Sequence, residues 1–185
     1  VSDERHQELS PEAIYQIFSE HYVNLKDVFA VPESHFEQKD GIFATVTIEQ
    51  GDERRVIKTN GNGRLDAVSN AIKTYFGISY ELAAYEEHSI SAGSSSKAAA
   101  YVEILCQGKS YWGVGIDEDI IKSSVAALVS AANKMAKNQN ITEGMDERSV
   151  EIMNYIQNHY ADVTLDTLSE TFNLSKTYLS KYIKE

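Results

Sequence analysis

Cysteine and proline are almost missing: Cys106, Pro11 and Pro32 are the only three such residues among 185. A lone thiol can neither close an intrachain disulfide nor build a thiol-rich metal site, so a reducing, cytoplasmic setting is expected. The five histidines, at 6, 21, 35, 88 and 159, never form a metal-ligand pair at short spacing, so neither a metal nor a cofactor is expected in the chain. No apolar run approaches the roughly twenty residues of a membrane span, and the N-terminus lacks the basic start and apolar stretch of a signal peptide. Positive charge is scarce too. With 17 Lys and Arg against 28 Asp and Glu, the net charge of -11 argues against a surface dominated by nucleic-acid binding, and any DNA contact must be local.

What is present is a chain 42% hydrophobic, enough for one packed domain with a small appendage. Ser10-Pro11-Glu12 reads as a helix start, and Ile14, Ile17 and Phe18 then share a face up to about Tyr22. Between 24 and 40 the periodicity fades and Pro32 interrupts it. From Gly41 a clear alternation follows, with Ile42, Ala44, Val46 and Ile48 on one side, then a turn over 50–53 and a second strand over 54–59. After the turn Gly61-Asn62-Gly63, residues Leu65, Val68, Ile72 and Tyr75 recur at helical spacing until Gly77 stops the helix.

The order then repeats. Strands are predicted over 80–91, 98–104 and 109–114, with a glycine and serine loop at 92–96 and a turn at Gln107-Gly108. A long helix carries Ile121, Val125, Leu128, Ala132 and Met135 on one stripe. Setting Gly61 against Gly115 pairs the helices over 65–75 and 119–135. The predicted class is α+β: two pseudo-repeated strand-rich halves, βββα-like twice, with antiparallel sheets each covered on one face by a helix. Residues 1–137 form this domain, 138–145 a polar linker, and 146–185 a small three-helix tail with segments over 146–159, 164–172 and 175–184. Thr164 and Ser175 are plausible caps, and Asn173 can take the left-handed conformation of a tight turn.

Glycines at a strand-to-helix turn let backbone approach a ligand, and the free N–H groups of a helix start attract a carboxylate. The competing reading is a plain structural turn. Asp117, Glu118 and Asp119 suit the positive end of the second helix, with capping the preferred role. His88 reads as a structural strand residue.

Four ordered blocks carry a family resemblance: Gly61-Asn62-Gly63, the stretch from Tyr85-Glu86-Glu87-His88 to Gly93, Ala98-Ala99-Ala100-Tyr101-Val102-Glu103, and Trp112-Gly113-Val114-Gly115-Ile116. Over about 10–137 the chain resembles the C-terminal regulatory domain of 2-isopropylmalate synthase, and citramalate synthase, which answers to isoleucine, shares that domain. The resemblance implies feedback inhibition by leucine, a homodimer, and a ligand held between the two halves. Its pocket would be carried by Gly61, Asn62, Gly63, Leu65 and Ala67, by Tyr85 and Ser89, by Ser96 and Ala98, and by Ile116. Ser89 and Ser96 stand where smaller apolar residues are expected in the family, and Arg64 where a proline is. The acyltransferase chemistry of the family belongs to a barrel that needs roughly 250 residues by itself. The chain is therefore expected to sense rather than catalyse.

Residues 152–185 resemble the first helix-turn-helix of arabinose-regulator-type transcription factors, through Val163-Thr164-Leu165-Asp166-Thr167-Leu168-Ser169 and Leu174-Ser175-Lys176-Thr177-Tyr178-Leu179. That resemblance would place Lys176, Thr177 and Lys181 near phosphates or base edges. Ser169 replaces the customary alanine, a second helix-turn-helix is missing, and Asp162, Asp166 and Glu170 repel phosphate. The alternative function is thus an amino-acid-sensing transcriptional regulator.

Overall fold

The computed structural model describes residues 9–90, 96–139, 141, 151–152, 155–156, 159, 162–177 and 179. The chain divides into two compact units, Val1–Gly144 and Met145–Glu185. In the first unit the order is α1 (Pro11–Tyr22), β1 (Ala30–Lys39), β2 (Gly41–Gln50), β3 (Glu53–Gly61), α2 (Arg64–Phe76), β4 (Glu81–Ser89), β5 (Ala98–Cys106), β6 (Lys109–Asp117) and α3 (Ile120–Asn138). Two antiparallel three-stranded sheets result, β1-β2-β3 and β4-β5-β6, each followed by its helix.

Local chemistry explains the boundaries. Ser10 Oγ accepts the Ala13 N–H at 3.2 Å, with Pro11 in the first turn where it forfeits no helical bond. Gly77 ends α2 at φ 62°, a conformation glycine takes without steric cost. The residues alternating from Ala44 through Val46 to Ile48 are all buried, and α2 faces them with Ala67, Val68, Ala71, Ile72 and Tyr75. The second half buries Ala100, Val102 and Ile104 beneath Leu128, Ala131 and Met135.

β1 occupies the stretch where the periodicity fades. It pairs with β2 from Lys39↔Gly41 back to Glu33↔Thr47, and the register shifts between Ala30 and Glu33, where Pro32 sits. An edge strand with an irregularity tolerates a residue that cannot donate to the ladder. None of its positions is fully buried, so little hydrophobic alternation marks it.

The repeat also has a different register from the one the glycines suggest. The helix N-caps are Gly63 and Asp119, and the preceding hairpin turns lie at Gly51-Asp52 and Gln107-Gly108. Gly61 is therefore the counterpart of Asp117, two residues beyond Gly115. Gly113 and Gly115 do not form a helix-start turn. They lie within β6 directly under α3, where a Cβ on Gly113 would overlap Ala127 O and Ala131 N, and one on Gly115 would overlap Ser123 O.

The segment after α1 runs along the second half before it enters the first. Val23 bridges Val114 in parallel, and the Asn24 N–H donates to Val114 O at 2.9 Å. The Asn24 side chain accepts from Ile116 N–H at 3.0 Å and donates to Ile116 O at 3.1 Å. Further on, Leu25 N–H donates to Ser130 Oγ at 2.8 Å, and Asn133 Oδ1 receives the N–H groups of Val28 and Phe29 at 2.7 and 3.1 Å. β1 of the first half is thus anchored through its approach to α3 of the second.

In the second unit α4 (Leu165–Phe172) starts at Thr164, whose hydroxyl accepts the Thr167 N–H while the Thr167 hydroxyl accepts the Thr164 N–H. Asn173 ends it at φ 52°. Ile152, Leu168 and Leu179 are its buried centre, flanked by Tyr155, Ile156, Val163, Phe172 and Leu174. Helical conformation is also found at 151–152, 155–156, 176–177 and 179. Much of the expected linker, and of the first and last tail segments, lies outside the described residues.

Candidate functional site

A cavity of about 580 Å3 opens between the two halves of the first unit. The first turn of α2 contributes Gly63, Arg64, Leu65 and Asp66. Across from it, β4 contributes Leu82, Tyr85 and Glu87, and the start of α3 contributes Ile120, Ile121, Ser124 and Val125. The lining chemistry is mixed: an apolar wall of Leu65, Leu82, Ile120, Ile121 and Val125, a helix start, and one polar cluster.

The helix start is open. Gly63 stands at the N-cap of α2 with extended backbone and no side-chain cap, so the first-turn N–H groups lack the partner that a Ser or Asp would supply. Asp66 does not close it, because its Oδ2 accepts the Asn62 N–H at 2.9 Å, one residue before the cap. Arg64 lies with its guanidinium 5.9 Å from the Phe36 ring centroid. That cation–π contact gives the arginine a partner where the family resemblance led to a proline.

The polar cluster comes from two elements. The Tyr85 hydroxyl donates to the Glu87 carboxylate and lies 2.9 Å from Ser124 Oγ. Ser124 also hydrogen-bonds to Ile120 O at 2.7 Å and approaches Glu87 Oε2 at 3.4 Å. Burial, reinforced by the hydrogen bond to Glu87, pushes the Tyr85 pKa up, so the phenol stays protonated.

Three predicted ligand residues, Gly63, Leu65 and Tyr85, line this cavity. The other seven, Gly61, Asn62, Ala67, Ser89, Ser96, Ala98 and Ile116, are not among its lining residues. Gly61 ends β3, and a Cβ there would sit 2.5 Å from Ala67 N, so the strand end and helix touch backbone to backbone. Ala67 is fully buried, and its carbonyl accepts the Thr59 hydroxyl at 2.8 Å. Asn62 shapes the turn through its bond to Asp66. Ser89 and Ser96 hydrogen-bond to each other at the end of the second sheet, where Ala98 pairs with Ser89 and with Asp117. Ile116 is held by Asn24. His88 stacks on Tyr101 at 5.2 Å between ring centroids.

Glu87 and Ser124 were not among the predicted residues. Glu87 follows Tyr85 by two on a strand and so shares its face, a signal the sequence did carry. Ser124 reaches the site only through the packing of α3.

A second cavity, of about 540 Å3, is the counterpart of the first: β1 faces the start of α3, as β4 faces the start of α2. Here the helix start is closed. Asp119 Oδ1 accepts the N–H groups of Ile121 and Lys122 at 2.8 and 3.3 Å, and Asp117 in turn accepts the Asp119 N–H at 2.9 Å.

In the second unit Lys176 is ion-paired with Asp166, which occupies part of the charge expected to meet phosphate. Thr177 is exposed, and Lys181 lies outside the described residues. Among the described residues no helix is long and apolar enough to cross a membrane, and no group of three or more His, Cys, Asp or Glu is arranged to hold a metal ion.

Comparison with known proteins accounts for the first unit. Residues 8–136 match the family described as the LeuA allosteric (dimerisation) domain. The 2-isopropylmalate synthase of Desulfitobacterium hafniense is 44% identical over 138 residues, 74% of this chain and 25% of that protein. Those of Helicobacter hepaticus and Clostridium acetobutylicum are 38% and 37% identical over 144 and 142 residues, covering 73% and 72% of this chain. The chain spans about a quarter of the length of these relatives, 25–26%, and the family match ends before the second unit begins. A duplicated strand-and-helix domain with this match over most of its length belongs to the LeuA allosteric (dimerisation) domain family.

Proposed function

We propose that this chain is a non-catalytic regulatory domain that binds a branched-chain amino acid, leucine, and imposes feedback inhibition on 2-isopropylmalate synthase in leucine biosynthesis. The observation that carries the reading is the uncapped start of α2 opening on a cavity with an apolar wall. A ligand carboxylate would complete the first turn, supplying the acceptor that Gly63 lacks, in the favourable field of the helix start. Leu65, Leu82, Ile120, Ile121 and Val125 offer a branched aliphatic side chain an apolar surface. The cavity lies between the two halves, so an occupant bears on both at once. The working form is a homodimer joined to the synthase's catalytic barrel, in keeping with the family's allosteric and dimerisation description.

Isothermal calorimetry with leucine, isoleucine and valine tests the assignment. Leucine should give saturable heat and outcompete the other two. An absence of heat with all three would sink the cavity as an amino-acid site.

The second reading, an amino-acid-sensing transcriptional regulator, draws on the capped α4 and the left-handed Asn173 that follows it. A DNA-shift assay at low salt that responds to leucine would favour it. Lys176, Thr177 and Lys181 are the residues whose substitution should then weaken the shift.

A further inference from the structure

We infer that Glu87, held by Tyr85 and Ser124, is the ammonium receptor of the cavity and the group that selects an amino acid over the 2-oxo acid of the same carbon skeleton. This rests on the amino-acid reading of the same cavity. The helix start and the apolar wall would recognise a carboxylate and a branched chain, features that both ligand classes share. Discrimination must come from what meets the substituent on the α-carbon, and Glu87 is the lining carboxylate that is not tied to a backbone N–H in the α2 turn.

The geometry suits an ammonium group. Glu87 accepts a hydrogen bond from the Tyr85 hydroxyl on one oxygen, which orients the carboxylate and leaves lone pairs for further donors. The oxygens of Tyr85 and Ser124 lie 2.9 Å apart beside it, so an ammonium with three N–H donors meets a carboxylate and hydroxyl acceptors together. A 2-oxo acid presents only an acceptor there, and its carbonyl dipole would face the negative carboxylate. Selectivity then follows from an unfavourable encounter as well as from a favourable one. A sensor of an end product is thereby kept silent towards precursors with the same branched chain.

The test uses the full chain and two ligands, leucine and 4-methyl-2-oxopentanoate, with Kd measured by calorimetry. The unsubstituted protein should prefer leucine. Glu87→Gln should weaken leucine on the order of 10- to 100-fold, as for loss of a hydrogen bond to a charged group, while leaving the oxo acid unchanged or tighter. Retained oxo-acid binding reports that the variant is folded. Glu87→Lys, which places a cation opposite the ligand's own, should invert the preference. A leucine preference unchanged in both variants would overturn the inference and leave the carboxylate site standing. If neither ligand binds the unsubstituted chain, the amino-acid reading of the cavity fails with it.

Discussion

Gly63 and Asp119 hold the same N-cap position in the two halves, yet only Asp119 closes its helix with its own carboxylate. One duplicated frame thus offers one open helix start and one closed one. Gly63→Asp should close the first. Its backbone is extended at φ -146° and a Cβ there meets nothing within 4 Å, so the substitution fits without strain. Stability should be unchanged or rise by a few tenths of a kcal/mol, while leucine heat disappears. Melting and calorimetry on the same sample separate the two effects.

Asp119→Ala acts in the opposite sense. It removes the acceptor for the Ile121 and Lys122 N–H groups and should cost about 1 kcal/mol, read as a lower denaturation midpoint, with leucine affinity held within a few-fold.

The glycines divide by what lies beyond the missing Cβ. Gly115→Ala drives a methyl into the Ser123 carbonyl of a neighbouring helix and should cost at least about 1–3 kcal/mol, whereas Gly63→Ala meets no atom and should cost less than about 1 kcal/mol, the difference between glycine and alanine at an N-cap. Urea unfolding curves on the two variants provide the comparison.

Asn133 is 2% exposed, and its amide serves four backbone groups: it accepts from Val28 and Phe29 N–H and donates to Phe29 O at 3.0 Å and Val129 O at 2.9 Å. Asn133→Ala leaves the approach to β1 without those partners. A loss on the order of 1–3 kcal/mol is expected in equilibrium unfolding. Faster amide exchange at Val28 and Phe29 than elsewhere in the first unit would localise it.

Tyr80 gives the fold an alkaline limit. Its hydroxyl is buried, donates to Ser69 O at 3.3 Å and accepts from Ser69 Oγ at 3.1 Å, and burial pushes its pKa above the tyrosine range. The folded state keeps a proton that the unfolded state releases near pH ~10. The stabilisation is therefore whole below about pH 10 and declines as pH rises further. Denaturation midpoints at about pH 8 and about pH 11 should differ less in Tyr80→Phe than in the parent chain.

Much of this fold was legible because its signals are local. The Ser10-Pro11 start, the alternation from Ala44 to Ile48, the Gly77 stop and the Thr164 cap depend on neighbours in sequence, and each holds in the structure. β1 was hidden because it is an edge strand whose residues are mostly exposed. The duplication was visible but two residues out of register, since glycines of the same spacing do different work: Gly63 opens a helix, while Gly113 and Gly115 let one lie on a strand. At the cavity, Gly63, Leu65 and Tyr85 came from the family resemblance and do line it. Ser124, Ile120 and Val125 arrive from a helix distant in sequence, and only packing reveals that they share a wall with Leu65.

The glycines under α3 also bear on how a signal could travel. Where side chains separate a helix from a sheet, the layers can slip by exchanging rotamers. Between β6 and α3 there is no such layer at Gly113 and Gly115, and backbone rests on backbone. Sliding of the helix along the strand there meets backbone atoms directly. A ligand lodged against Ile120, Ile121 and Ser124 would therefore press on a helix seated directly on its strand, with no layer of side chains at Gly113 and Gly115 to take up the push.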